Sequence, residues 1–292
     1  MIHGIIPAMV TPITEDQRIN HSVTVQLTRE LLGKGAAGLF ILGTNGEFHM
    51  LTTEEKVAFT KTVATEVDGA VPLIVGAGSN STKEVIELSK VLKEAGADVL
   101  SIITPYFIQP TQDELIDHYR AIAKAVELPL LMYNIPKKTG VTLEPETVCE
   151  LAKEKNIVGI KDSSGQFELI ENYLRVTAEE EFVVLAGTDS LILDTLEAGG
   201  TGAVAATANI VPSVVNNIYE YWKQGERDKA RQAQEKLAPI RALFSKGTIP
   251  AVIKKALEVQ GIKVGAPIHP IRDVSQEVEE QLRQVLSKHW QK

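Results

Sequence analysis

Lys161 follows the apolar run Ile157-Val158-Gly159-Ile160 without a break, so its stem starts inside a stretch that reads as a buried strand. Lysine is rarely buried without a partner or a task. An ammonium taken out of water is held poorly, and the neutral amine is a nucleophile for carbonyl carbon. The plain alternative is a lysine that snorkels to solvent or pairs with the adjacent Asp162. Tyr133 closes another run, residues 128–133. A phenol beside that amine can carry protons between a substrate oxygen and solvent; the alternative is a rim tyrosine with its hydroxyl satisfied. Gly43-Thr44-Asn45-Gly46-Glu47 follows a third run. Its glycines let backbone N–H groups face a carboxylate next to a hydroxyl and an amide, although a tight turn accounts for the same residues. Glu47 reads as a hydrogen-bonded structural carboxylate. Lys254 and Lys255 fall in a helical pattern and read as solvated or interfacial.

These residues need elements that bring them together. Eight short apolar runs begin at residues 5, 38, 72, 98, 128, 157, 182 and 202. Their starts are roughly 20 to 35 residues apart, the span of one strand–helix unit. Most are continuously apolar, as parallel strands covered on both faces must be. Thr52…Glu55, Ser81…Glu84 and Thr111…Glu114 read as capping boxes opening the second, third and fourth helices. Pro145 and Pro212 suit first-turn positions, and segments ending at Gly33, Gly96 and Gly199 read as stopping on a left-handed glycine. The pattern predicts a (β/α)8 TIM barrel over residues 1–225. A helical extension over 226–292 is amphipathic and packs on the barrel flank or on a partner. A doubly wound sheet is disfavoured, because the first strand runs into Val10-Thr11-Pro12 with no glycine fingerprint. Barrel enzymes place their sites at the C-terminal strand ends. There the chain offers Thr11, the 43–47 turn, Asn80, Thr104 to Phe107, Tyr133, Lys161, Gly187 to Asp189 and Thr207 to Asn209.

Bulk properties narrow the partners. The chain has 292 residues and a net charge of -8, which disfavours nucleic acid and anionic membranes. Cys149 is the single cysteine, so no intramolecular disulfide forms, and a cytoplasmic setting is expected. The N-terminal residues lack the basic and apolar regions of a signal peptide. The six histidines show no metal-ligand spacing, and there is no P-loop or GxSxG elbow, so no metal and no organic cofactor is expected.

In order and spacing, GTNGEFHMLTTEE, TPYF, YNIPKKTG, GIKDSSG, LAGTD and GGTGAVAATANIVP closely resemble the dihydrodipicolinate synthase/N-acetylneuraminate lyase family. The resemblance covers essentially the whole chain. It implies a pyruvate-dependent class I aldolase on a TIM barrel with a helical extension, usually a homotetramer built as a dimer of dimers. It makes Lys161 the Schiff-base lysine, Tyr133 the proton shuttle, and Thr44 the hydroxyl that holds the substrate carboxylate and joins the relay. Asn45, Gly187 and Val204 fall at pyruvate-pocket positions. Lys138, Tyr106 and Phe107 are expected at the substrate site, Lys138 where synthases carry the arginine for the aldehyde's carboxylate and Phe107 where they carry the tyrosine that completes a relay with a neighbouring subunit.

Departures from the family pattern bear on that substrate. Dihydrodipicolinate synthases usually carry a tyrosine where this chain has Phe107, and an arginine where it has Lys138, a point charge rather than a fork. They commonly have KEA where this chain has KDSSG. The resemblance therefore favours aldolases of 2-keto-3-deoxy acids and 4-hydroxy-2-oxoglutarate. Condensation of pyruvate with aspartate semialdehyde by a true dihydrodipicolinate synthase is the alternative, and a non-catalytic pyruvate sensor is the reading of another class.

Overall fold

The computed structural model describes residues 2–290, with the His289 side chain also outside what is described. Gln291 and Lys292, which close the expected extension, lie outside the described residues. Eight strands form: β1 (Gly4–Pro7), β2 (Leu39–Ile41), β3 (Leu73–Gly76), β4 (Val99–Ile103), β5 (Leu130–Asn134), β6 (Ile157–Asp162), β7 (Val183–Ala186) and β8 (Gly202–Ala205). Every pairing is parallel, and the sheet runs β1-β8-β7-β6-β5-β4-β3-β2. It is closed between its ends where Ala8 bridges Phe40 and the Met9 N–H donates to the Phe40 carbonyl at 2.9 Å. This is the (β/α)8 barrel. Apart from half-buried Val158, every strand residue is buried, as continuous apolar runs require when the strands are covered on both faces.

Between the strands lie α1 (His21–Gly33), α2 (Thr53–Val67), α3 (Thr82–Glu94), α4 (Gln112–Ala125), α5 (Pro136–Thr139), α6 (Pro145–Leu151), α7 (Phe167–Val176) and α8 (Ile192–Glu197). After β8 come α9 (Pro212–Lys223), α10 (Arg227–Glu235), α11 (Ala238–Leu243), α12 (Ala251–Val259) and α13 (Gln276–His289). No helix among the described residues is long and apolar enough to cross a membrane.

Local signals decide where most helices begin. Thr52 and Thr111 form reciprocal boxes with Glu55 and Glu114, and Pro145 and Pro212 stand in first turns. Two details differ from expectation. Ser81 accepts from the Glu84 N–H, but the Glu84 carboxylate turns to the Ser79 hydroxyl at 2.5 Å, so only half of that box forms. Gly33 is the last residue of α1 rather than its left-handed stop; the turn is completed by Gly35, at φ 82°. Gly96 and Gly199 take the expected left-handed backbone.

Past α9 the chain returns to the barrel mouth. Gln234 of α10 donates to the Asp189 carbonyl at 2.8 Å and accepts from the Leu193 N–H at 3.1 Å, tying the extension to the loop after β7. α11 and α12 both pack against α13, with Leu282 and Leu286 buried.

Candidate active site

A cavity of about 220 Å³ opens at the C-terminal ends of the strands, where a barrel's strand-to-helix loops gather. Lys161 lies in its wall, 4% exposed. It is the Cα partner of Tyr133 across the β5–β6 ladder, so the two side chains leave the sheet on the same face. The Lys161 Nζ sits 3.9 Å from the Tyr133 ring centroid and 4.3 Å from that of Phe40. The amine thus rests between two aromatic faces, and not at the phenol oxygen as the strand order alone suggested. A π face attracts a cation, so this slot suits any positively charged nitrogen placed there.

The Tyr133 hydroxyl goes instead to Thr44, whose Oγ1 is 3.1 Å away. The Asn45 amide is anchored to the Ala8 carbonyl at 3.3 Å. Neither the Thr44 nor the Asn45 backbone N–H meets a protein acceptor among the described residues, which leaves two donors for an anion at this turn.

Asp162 does not pair with Lys161. Its carboxylate accepts from the Asn134 amide at 2.7 Å and from the Ser164 hydroxyl at 2.5 Å. Burial pushes this carboxyl up from its ordinary range, while the bonds from Ser164 and Asn134 pull it back. The partner that would have made Lys161 an ordinary ion-paired lysine is therefore committed elsewhere.

Two glycines set the shape of the wall by having no side chain. A Cβ at Gly43 would lie 2.3 Å from the Phe40 ring, which is the ring over Lys161. A Cβ at Gly187 would lie 2.1 Å from the Ser163 hydroxyl and 2.8 Å from the Asp162 carbonyl. A larger residue at Gly43 would displace the Phe40 ring, and one at Gly187 would press on the Asp162 backbone.

Of the residues singled out from sequence, Lys161, Tyr133, Thr44, Asn45, Gly187, Val204 and Lys138 line this one cavity. Tyr106 and Phe107 do not. Phe107 has a left-handed backbone, φ 81°, which turns its ring outward to 90% exposure. Tyr106 packs edge-on against Phe48, and its N–H is held by the Asn80 amide at 2.8 Å. Sequence reasoning missed Phe40, and it missed Arg241, Phe244 and Ile249, which the extension contributes to the cavity wall. Nothing local marks Arg241 among the helical residues around it.

Lys254 overturns its own expectation. It is 1% exposed and lies 2.5 Å from the Glu47 carboxylate, itself fully buried. Glu47 also accepts from the Ile268 N–H at 2.6 Å, and Lys254 donates to the Ala266 carbonyl at 3.2 Å. Glu47 has the structural role read from the sequence, with a left-handed backbone at φ 56°. Lys255 is also no solvated lysine: its ammonium is 2.6 Å from Asp273 and 2.9 Å from Glu258. Among the described residues no group of three or more His, Cys, Asp or Glu side chains converges as metal ligands would.

Comparison with known proteins agrees with this geometry. The model of the dihydrodipicolinate synthetase family matches residues 1–289. A 4-hydroxy-tetrahydrodipicolinate synthase of Methanopyrus kandleri is 39% identical over 290 residues, covering 98% of this chain and 96% of the relative. The crystal structure of dihydrodipicolinate synthase from Thermotoga maritima superposes with a TM-score of 0.96 at 32% identity, over 99% of each chain. YagE, a prophage protein of the dihydrodipicolinic acid synthase family from E. coli K12 solved in complex with pyruvate, does so with a TM-score of 0.94 at 33% identity, over 99% of this chain and 98% of its own. The subfamily preference drawn from Phe107, Lys138 and KDSSG finds no support in these names. They fit the alternative, a dihydrodipicolinate synthase.

Proposed function

The chain belongs to the dihydrodipicolinate synthetase family, and on that premise we propose that it joins pyruvate to aspartate semialdehyde through an imine on Lys161. The observation that carries this reading is the dry Lys161 amine, clasped by two aromatic faces beside the Thr44–Tyr133 hydroxyl pair.

The turn at Thr44 and Asn45 receives the pyruvate carboxylate on its free N–H groups. The Lys161 amine adds to C2, its nitrogen gives up a proton, and the carbonyl oxygen takes one up to give a carbinolamine. A second proton on that oxygen lets it leave as water, and a protonated imine forms. Tyr133 moves these protons, and Thr44 fixes the direction of its O–H. The iminium stays cationic in the slot between Phe40 and Tyr133, where the ring faces stabilise it. It draws electrons from C3, a proton leaves the methyl group, and the enamine attacks the aldehyde carbon, whose oxygen takes up a proton as the iminium re-forms. The amine of aspartate semialdehyde then closes on C2 and displaces Lys161, which regenerates the free enzyme. We place this chemistry in a reducing cytoplasm, consistent with the lone, unpaired Cys149.

Tyr133→Phe keeps the ring over the amine and deletes only the hydroxyl. Turnover is expected to fall by about 10²- to 10³-fold, while pyruvate plus borohydride still tags Lys161, if slowly. Steady-state rates beside intact-mass spectra check this; a variant within threefold of wild type would take the phenol out of the proton path.

A second reading, cleavage of a 2-keto-3-deoxy acid, is favoured by Phe107, which has no hydroxyl and points away from the cavity. A panel of aldehydes offered with pyruvate decides between them. Aspartate semialdehyde is expected to react at least tenfold faster than glyoxylate, glyceraldehyde or N-acetylmannosamine. Fastest reaction with one of those three would hand the assignment to the second reading, and pyruvate binding without turnover on any would mark a sensor.

A further inference from the structure

The extension sends one cation into the cavity. Arg241 lies in α11, whose neighbours Ile240 and Leu243 are buried and hold the helix down. Arg241 lines the same space as Lys161 and Lys138, with Phe244 and Ile249. Among the described residues neither Arg241 nor Lys138 has a carboxylate within ion-pair distance. The wall does contain one carboxylate, Asp189, but its two oxygens accept from the Ala206 N–H at 3.1 Å and the Thr207 N–H at 2.6 Å. The chain as a whole is acidic, at -8, so Arg241 and Lys138, two cations without an ion-pair partner beside one engaged carboxylate, make a local inversion of sign.

Pyruvate does not account for that inversion. Its single carboxylate is served by the turn at Thr44 and Asn45, and its carbonyl by Lys161. Arg241 and Lys138 are left over for a second anionic group. An arginine is a rigid planar fork that pairs with both oxygens of a carboxylate, whereas Lys138 offers a point charge. The apolar neighbours Phe244 and Ile249 lower the local dielectric and strengthen such a pair.

We propose that Arg241 is a specificity-determining residue of the second step, its guanidinium receiving the carboxylate that the aldehyde itself carries. This rests on the imine reading of Lys161 and deepens it, because it makes the partner of the pyruvate enamine an acidic aldehyde rather than a neutral sugar. The helical extension thereby selects the substrate while the barrel performs the chemistry.

The test compares wild type, Arg241→Gln, Arg241→Lys and Lys236→Gln, the last removing one exposed charge from the same extension away from the cavity. Each is loaded with pyruvate and given succinate semialdehyde or its neutral counterpart butyraldehyde. Condensation rates are read, together with the thermal stabilisation each aldehyde adds to the pyruvate-loaded protein. In Arg241→Gln the KM or dissociation constant for succinate semialdehyde is expected to rise about 10- to 100-fold, the range for a lost charge-assisted hydrogen bond. The value for butyraldehyde should move less than twofold. Arg241→Lys should recover part of the loss, and Lys236→Gln should match wild type. Equal losses for both aldehydes would reduce Arg241 to a packing residue and overturn the proposal. So would no loss for either, or a wild type that shows no preference for the acidic probe in rate or in stabilisation. Failure of the underlying imine reading looks different: pyruvate and borohydride would leave wild-type Lys161 untagged.

Discussion

Lys161→Ala is expected to lower turnover by on the order of 10⁵-fold, the scale on which an enzyme loses rate with its covalent nucleophile. The methyl group left behind can neither form the imine nor act as an electron sink, and no other amine in the cavity occupies the slot between Phe40 and Tyr133. Lys161→Arg should be equally inactive, because a guanidinium keeps the charge but does not form the imine. The fold should survive both changes. Lys161 has no ion-pair partner to orphan, since Asp162 is held by Asn134 and Ser164. The measurement is steady-state turnover with a thermal scan on the same preparation. Activity within tenfold of wild type in a folded Lys161→Ala protein would end the Schiff-base assignment.

The largest expected loss of stability comes from the other buried lysine. Lys254→Met removes the ammonium 2.5 Å from Glu47 and leaves that carboxylate unpaired in a fully buried position. Breaking one side of such a pair costs about 3 to 5 kcal/mol, because the remaining charge stays desolvated without compensation. For a chain of this size the corresponding fall in Tm is roughly 10 °C. The double variant Lys254→Met/Glu47→Gln should recover a large part of that loss, because a neutral amide is far less costly to bury than a lone carboxylate. Denaturant unfolding of the two single variants and the double variant closes the cycle. Additive losses would mean that the two side chains do not depend on each other. Function should also respond. Glu47 follows Thr44 by three positions, so a loosened Glu47 is expected to raise the KM for pyruvate beyond what reduced stability explains.

The barrel itself was plain in the chain. Strands covered on both faces have to be apolar at every position, so eight runs announce eight strands without knowledge of any long-range contact. Helix starts set by Thr52, Thr111, Pro145 and Pro212 are decided within a single turn and were equally plain. Lys161, Tyr133 and Thr44 could be read because strand ends of a barrel share one mouth and because motif order pointed to a family. What escaped depends on distant partners. Lys254 stands in a helix whose spacing looks like any amphipathic helix, and its burial follows only from Glu47, far away in sequence. Arg241 reaches the cavity because α10 is tied to the loop after β7 and brings α11 to the mouth, which periodicity does not encode. Phe107 leaves its own cavity for a local reason: its left-handed backbone, unusual for a phenylalanine, turns the ring outward, the side on which the motif places a residue shared with a neighbouring subunit.

The return of the chain over the barrel mouth has a consequence during synthesis. In a nascent polypeptide the eight strands, Lys161 among them, are synthesised ahead of α11. At that stage the reactive amine stands in a basin with one side missing, and any passing aldehyde or ketone has access to it. The later helices finish the enclosure and choose the guest, so the reactive amine is laid down before the wall that discriminates.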